Sequence, residues 1–239
     1  MCGCLLPPPL LPWSSPVADV RSHFCDGCMS RILWVEPPFC IHCGRPSKSN
    51  LPCRFCDRSR LVITGRSLAV YTGVVRTLLT DLKFRGVQAV AEPLGFLAGM
   101  VACEVAHGWR KTVVIPIPLH KERLAQRGFN QAELLGAGVA RVLRRPMWTD
   151  VLVRTKLTAP QSSLSVKERR RNIEGAFAVT TPGLVTGRCF LLVDDVYTTG
   201  ATIAAAAEAL LLAGASEVRF TTVAVAVSVV DVLDWAGNR

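Results

Sequence analysis

The 239-residue sequence predicts an α/β protein with a doubly wound, mainly parallel sheet, preceded by a small Cys-rich segment. Three observations predict it. From Leu68 onward, short apolar runs alternate with helix-periodic segments, the pattern of β-α-β units whose strands lie parallel. Within that region, Phe190-Leu-Leu-Val-Asp-Asp-Val-Tyr-Thr-Thr-Gly-Ala-Thr-Ile203 joins a buried strand to an Ala-rich helix through a turn of small residues. Residues 1–60, by contrast, are dense in Cys and Pro and lack long apolar periodicity, so they need a metal staple in place of a core. The chain therefore divides into a Cys-rich domain over 1–60 and an α/β domain over 61–239.

The elements follow in order. Ser67–Tyr71 is a short strand, and Gly73–Phe84 a helix with Val74, Leu78, Leu79 and Leu82 on one face. A second helix covers Val87–His107, with Pro93 in its first turn or breaking it. Thr112–Ile117 is a buried strand bounded by Pro116 and Pro118, which cannot donate to a ladder. After a charged loop, Asn130 caps a helix that runs to Leu143. Val151–Arg154 reads as a strand, and Thr155–Arg171 as a long basic loop or weak helix. Phe177–Val179, Cys189–Val193 and Val218–Val227 complete the strands, with a helix at Thr202–Leu212 between the last two.

Composition excludes several classes. Half the residues are hydrophobic and 19% are charged, enough for a packed core and against global disorder. No run of about 18 uncharged apolar residues occurs, so membrane insertion is not expected. Met1–Trp13 holds four Pro and no basic residue, unlike a secretory signal, and the protein reads as cytoplasmic. Six of the ten cysteines form C-x-x-C pairs, which in a reducing compartment favour metal over disulfides. A net charge of +10 asks for an anionic partner or an Arg-rich solvated surface.

In an open α/β sheet, ligands bind at the carboxyl ends of the strands, where the 190–203 segment puts Asp194 and Asp195. The loop after them, Thr198, Thr199, Gly200, Ala201 and Thr202, offers hydroxyls and backbone N–H groups at a helix N-terminus, a cradle for a phosphate. Two carboxylates repel a phosphate but accept from ribose hydroxyls or hold a divalent ion that the substrate brings. The chemistry points to a phosphorylated ribose. Ile115–Arg123 opens at the same edge, and Lys121, Arg123 and Arg127 could supply charge for a pyrophosphate. In Arg127-Gly-Phe-Asn-Gln131, Arg127 and Gln131 are site candidates, while Phe129 and Asn130 suit a core position and a helix cap equally well. No nucleophile with a paired base emerges, since His23, His42, His107 and His120 are isolated from any triad.

The 190–203 segment resembles the phosphoribosyl pyrophosphate (PRPP) signature of type I phosphoribosyltransferases. More narrowly, the chain resembles the ComF family of competence-related, phosphoribosyltransferase-like proteins. The likeness runs through the Cys-rich head, the Leu-Lys-Phe-Arg-Gly ending at Gly86, the Arg-Gly-Phe-Asn-Gln ending at Gln131, and the Glu-Arg-Arg-Arg-Asn ending at Asn172. It implies a type I phosphoribosyltransferase sheet, PRPP with magnesium as ligand, a pyrophosphate loop at Pro116–Arg127 and a closing lid over Thr155–Arg171 that contains Lys156, Gln161, Arg169 and Arg170. Lys83 and Arg85 gain a role toward an acceptor or nucleic acid in the same way. Asp194, Asp195, Arg127 and Lys156 become the candidate catalytic residues, acting by positioning and charge stabilisation.

Cys40-Ile-His-Cys43 and Cys53-Arg-Phe-Cys56 are two knuckles with zinc-ribbon spacing. Cys25-Asp-Gly-Cys28 is a third, whose available partners are Cys2 and Cys4; the resembled family has four C-x-x-C pairs, and Cys2-Gly-Cys4 is one residue short of that pattern. Four thiolates leave no open position, so the zinc is structural. Arg45, Lys48, Arg54, Arg58 and Arg60 around the second ribbon suggest single-stranded DNA as a ligand. Two functions follow: a phosphoribosyltransferase with an unknown acceptor, linked to DNA uptake, or a non-catalytic single-strand-binding competence factor in which PRPP is regulatory or vestigial. The resemblance also implies partners among the DNA-uptake machinery.

Overall fold

A computed structural model describes residues 24–57, 61, 63–106, 108, 111–157, 173–228, 231–232 and 235. The expectations for Cys2, Cys4, Gln161, Arg169 and Arg170 lie outside these residues. In chain order the elements are α1 (Asp26–Met29), α2 (Arg54–Asp57), β1 (Gly65–Val70), α3 (Gly73–Arg85), α4 (Ala91–Val105), β2 (Thr112–Pro116), α5 (Lys121–Arg127) and α6 (Gln131–Leu143). They continue with β3 (Leu152–Arg154), β4 (Phe177–Val179), α7 (Pro182–Val185), β5 (Cys189–Tyr197), α8 (Ala201–Leu212) and β6 (Glu217–Val225).

Four strands form one parallel sheet in the order β1-β6-β5-β2. Alternation along each strand sends side chains to two cores. Ile115, Leu192 and Phe220 lie in register across β2, β5 and β6 and enter one core; Val114, Leu191 and Val193 enter the other. The second of these cores is covered by α3, α4 and α6, through residues such as Leu79, Leu94 and Leu135. The first has α8, with Ile203, Ala206 and Leu210, and beside it the sulfurs of Cys40, Cys43 and Cys56. The cysteines from Cys40 to Cys56 thus lie on the sheet face that carries fewer helices, while Phe24 and Ile32 of the same segment pack into the other core.

Helices α4 and α6 cross at near-backbone contact. A Cβ on Gly95 would stand 2.2 Å from the Leu135 carbonyl oxygen, and one on Gly138 2.6 Å from the Phe96 nitrogen. Gln88–Val105 is the described segment long and apolar enough to cross a membrane, at mean hydropathy 1.2, but Leu94, Leu97 and Ala98 are buried in the core it shares with α6 and the sheet. Cys103, in an apolar stretch of α4, is exposed.

Both sheet edges are covered by main chain. On β1, the Val35 N–H donates to the Leu68 carbonyl at 3.1 Å and Val70 N–H to that of Leu33 at 2.8 Å. On β2, the Val114 N–H donates to the Pro146 carbonyl at 2.9 Å and Trp148 N–H to that of Val114 at 3.0 Å. β3 and β4 form a separate antiparallel pair.

The elements that differ from the sequence reading include α7, for which no helix was expected, β5 and the stretch 121–127. β5 continues four residues past Val193, because Asp194, Val196 and Tyr197 still pair with Thr222, Ala224 and Val225 on β6. The charged stretch 121–127 is a helix and not a loop: His120 caps it by accepting from the Glu122 N–H at 3.3 Å, and Gly128, at φ 80°, ends it. Asn130 caps α6 as expected, its Oδ1 accepting from the Ala132 N–H at 3.0 Å.

Candidate functional site

Six elements converge on one cavity of about 760 Å³ at the carboxyl edge of the sheet. β5 brings Asp194 and Asp195, the loop beyond it Thr198, and the first turn of α8 Thr202. α3 contributes Lys83, α5 Arg123 and Arg127, and β3 Arg154, while Gln131 enters from the first turn of α6. Four cations and two carboxylates therefore face one space.

Their charges are tuned by burial. The Lys83 ammonium forms an ion pair with the buried Asp195 carboxylate. Burial brings Lys83 down to about 8; Asp194 pulls it up and Arg127 pushes it further down. Asp194 is pushed up to about 6 by burial, an effect that Lys83 and Arg154 temper. The Arg127 and Arg154 guanidinia lie below their ordinary range through burial first and the charge of Arg123 second. Arg127 donates to the Gln131 side-chain oxygen, which fixes its direction across one turn. Cations pressed together in this way gain from a multiply charged anion.

The loop between β5 and α8 has the geometry that an anion needs. Gly200 sits at φ 77°, and a Cβ there would stand 2.4 Å from the Tyr197 hydroxyl, so only Gly fits. The Gly200 carbonyl accepts from the Ala204 N–H at 2.8 Å, which starts α8 and leaves the first N–H groups of the helix pointing out of its end. The Ala201 N–H reaches the Thr199 hydroxyl at 3.4 Å. Asp194 Oδ1 accepts from the Asp195 N–H at 2.8 Å, and Asp195 Oδ1 from the Val196 N–H at 2.7 Å, so the two carboxylates are held by their own strand.

Other predicted residues stand elsewhere. Lys121 is exposed at the start of α5 and Lys156 donates to the Glu174 carbonyl at 2.6 Å; neither lines the cavity. Arg85, with its side chain 72% exposed, pairs with Asp81 at 2.9 Å. His120 serves as a helix cap. The cavity residues that were missed include Arg154, Tyr71 and Phe84. Phe84 is 75% exposed, with the Arg127 guanidinium 5.8 Å from its ring centre. The sequence carries a signal for Phe84, since it departs from the apolar face of its helix, but none for Arg154, whose place depends on the β3–β4 pair.

The second centre is the sulfur cluster. Cys40 and Cys56 Sγ lie 3.8 Å apart, Cys43 and Cys53 Sγ 3.7 Å, and all four Sγ atoms fall within 4.8 Å of one another. A tetrahedron of Zn–S bonds of ~2.3 Å has edges of about 3.8 Å, so the four sulfurs fit a metal such as zinc. Crowding splits their proton affinities: hydrogen bonds from Cys43, Cys53 and Cys56 hold Cys40 well below the ordinary thiol range, and Cys56 is pushed up. Cys28 is buried and Cys25 half-buried, and they join no such cluster among the described residues. Arg45, read as a nucleic-acid contact, is instead 7% exposed and donates to the carbonyls of Thr198 at 2.6 Å and Ala226 at 2.7 Å. Arg54 pairs with Asp231 at 3.4 Å.

Fold and site define a parallel α/β protein with a strand-to-helix anion loop and a four-sulfur metal site. No protein-family model matches the chain. Among curated proteins it is 36% identical over 216 residues to the DNA utilization protein YhgH of Escherichia coli O157:H7, covering 85% of this chain and 91% of that one. It is 32% identical to the competence protein ComFC of Bacillus subtilis, covering 80% and 78%, and 29% identical to the competence protein F of Haemophilus influenzae, covering 83% and 89%. The chain belongs to the ComF family of competence and DNA-utilization proteins. Among solved structures, the glutamine PRPP amidotransferase of B. subtilis matches at TM-score 0.38 and 18% identity, covering 56% of this chain and 26% of that one. The orotate phosphoribosyltransferase of Aeropyrum pernix matches at 0.32 and 20%, covering 68% and 81%.

Proposed function

We propose that the chain is a cytoplasmic PRPP-binding protein of phosphoribosyltransferase type, built as a Cys-rich zinc head over 1–60 and a catalytic body over 61–239, with a role in handling incoming DNA. One observation carries the reading: the paired carboxylates Asp194 and Asp195 and the Thr198–Thr202 loop open together into a cavity that also holds Lys83, Arg123, Arg127 and Arg154. A sugar bearing phosphate at one end and pyrophosphate at the other matches that sequence of acceptors, N–H donors and cations.

The 5-phosphate sits on the loop, and Asp194 and Asp195 accept from the ribose hydroxyls. Asp194 and Asp195 would be the oxygen ligands for a magnesium ion carried by the pyrophosphate, which would neutralise part of its charge. Arg123, Arg127 and Arg154 surround the pyrophosphate. In transfer, the C1′–O bond breaks with its electron pair leaving on pyrophosphate, the lone pair of the acceptor forms the new C1′ bond, and the acceptor loses its proton. The carboxylates stabilise the cationic sugar that develops between those events, and the arginines the departing anion.

A second reading is favoured by Phe84. An exposed aromatic ring beside Lys83, Arg85 and Arg127 offers a base a stacking surface and the backbone a cationic track, the elements of single-strand binding. The relatives named for DNA utilization and competence support it. Calorimetry with PRPP and magnesium, followed by a screen of acceptors for pyrophosphate release, tests the first reading. Heat and release that vanish in the variant carrying both Asp194→Asn and Asp195→Asn support it. Binding without release under any acceptor supports the second, and no heat at all rejects both uses of PRPP.

A further inference from the structure

Arg45 links the two centres. It belongs to the metal knuckle: the Cys40 N–H donates to its carbonyl at 2.8 Å, and the Gly44 N–H to the Cys40 carbonyl at 2.9 Å. Gly44, at φ 66°, leaves no room for a Cβ, which would stand 2.8 Å from the Gly65 carbonyl oxygen, so the knuckle is pressed onto the start of β1. From there the Arg45 side chain runs through the interior to the far ends of β5 and β6. Its guanidinium lies 5.8 Å from the Tyr197 ring centre, and Tyr197 stacks on Phe220 at 4.7 Å and 8°. One terminal nitrogen donates to Ala226 and the other to Thr198, the first residue of the anion loop. The Ala226 N–H in turn donates to the Tyr197 carbonyl at 2.8 Å.

We infer that Arg45 is a positioning residue that makes sugar-phosphate binding depend on the metal at Cys40, Cys43, Cys53 and Cys56. It does not line the cavity. The fork grips the Thr198 carbonyl and so fixes the start of the loop from which Thr198 and Thr202 line the cavity. Its backbone is fixed only while the knuckle is closed around a metal. An emptied knuckle releases Arg45 and with it the loop; by linkage, a ligand on the loop slows the loss of metal. Planarity matters, because two carbonyls are gripped at once by a rigid guanidinium, which an ammonium cannot reproduce.

The inference rests on the sugar-phosphate reading for its ligand arm but not for its loop arm. In the full-length zinc-loaded chain, hydrogen exchange of the 199–202 amides is compared among wild type, Arg45→Lys and Arg45→Met, with the paired strands β5 and β6 as internal control and zinc content measured for each. Faster loop exchange in Arg45→Met at full zinc content, an intermediate rate in Arg45→Lys, and the same acceleration in wild type treated with chelator are expected. Calorimetry with PRPP and magnesium then reads about a tenfold loss of affinity in Arg45→Met, within the usual range of coupling between sites. In wild type, PRPP slows zinc transfer to a chromogenic chelator, and in Arg45→Met it does not. Loop exchange unchanged in zinc-replete Arg45→Lys and Arg45→Met overturns the inference whatever PRPP does. A wild type that binds no PRPP rejects the proposed ligand while the exchange result still decides the role of Arg45.

Discussion

Replacing Asp194 by Asn should make the empty protein more stable while removing ligand binding. Burial raises the Asp194 carboxyl from 3.8 to about 6, with the attraction of Lys83 and Arg154 already counted in that value. A carboxyl whose folded pKa lies above its unfolded one binds its proton more tightly when folded. Ionising it therefore opposes folding: the penalty is absent below pH 4, grows as pH rises through the interval to about 6, and is complete above it. A shift of about two units corresponds to about 3 kcal/mol. An Asn, which cannot ionise, should recover most of it, raising Tm by roughly 6–12 °C at pH 8 in a domain of this size. Thermal unfolding of wild type and Asp194→Asn from pH 4 to pH 8 measures the difference, and calorimetry with PRPP and magnesium measures the loss of binding. An equal Tm gap at pH 4 and pH 8, or a less stable variant at pH 8, would refute the assignment of strain to this carboxylate.

Three further outcomes are expected. Gly95→Ala drives a methyl into the Leu135 carbonyl at 2.2 Å, so α4 and α6 must separate, at a cost of about 1–3 kcal/mol read by urea unfolding with no change in ligand specificity. Gly200→Ala meets both the positive φ and the Tyr197 hydroxyl, and PRPP affinity should fall by about 5- to 30-fold, the worth of ~1–2 kcal/mol of left-handed strain, as read by calorimetry. Phe84→Ala leaves PRPP binding intact but weakens binding of a single-stranded oligonucleotide by roughly 5- to 150-fold, the worth of stacking one base at ~1–3 kcal/mol, as followed by fluorescence anisotropy.

How much of this was legible in the sequence depends on how local each signal is. The β5–α8 turn could be read because an apolar run, two Asp and a Thr-Gly-rich turn are contiguous. The four cysteines could be read because two C-x-x-C spacings each place a pair of ligands without help from the rest of the chain. α5 was hidden by its charge: Lys-Glu-Arg-Leu-Ala-Gln-Arg has one large apolar residue and reads as solvent-facing loop, yet a His cap before it and a Gly after it suffice to wind it. Arg154 reaches the cavity only because β3 and β4 pair, and the ion pair of Lys83 with Asp195 joins residues more than a hundred positions apart. Arg45 was misread for the opposite reason. A cation among cysteines looks like surface charge until the carbonyls that surround it come into view.

The main chain laid along β1 and β2 also governs how the molecule can assemble. A parallel sheet with open sides invites a neighbour to add a strand, by the same hydrogen bonds that build the sheet. Here residues 33–35 and 146–148 already take up donors and acceptors on the two outer strands. At these two strands a partner, whether another copy or a component of a larger machine, must then recognise this protein through side chains and not by extending the four-stranded sheet. Such contacts can be tuned residue by residue, whereas strand addition would join chains with little regard for sequence.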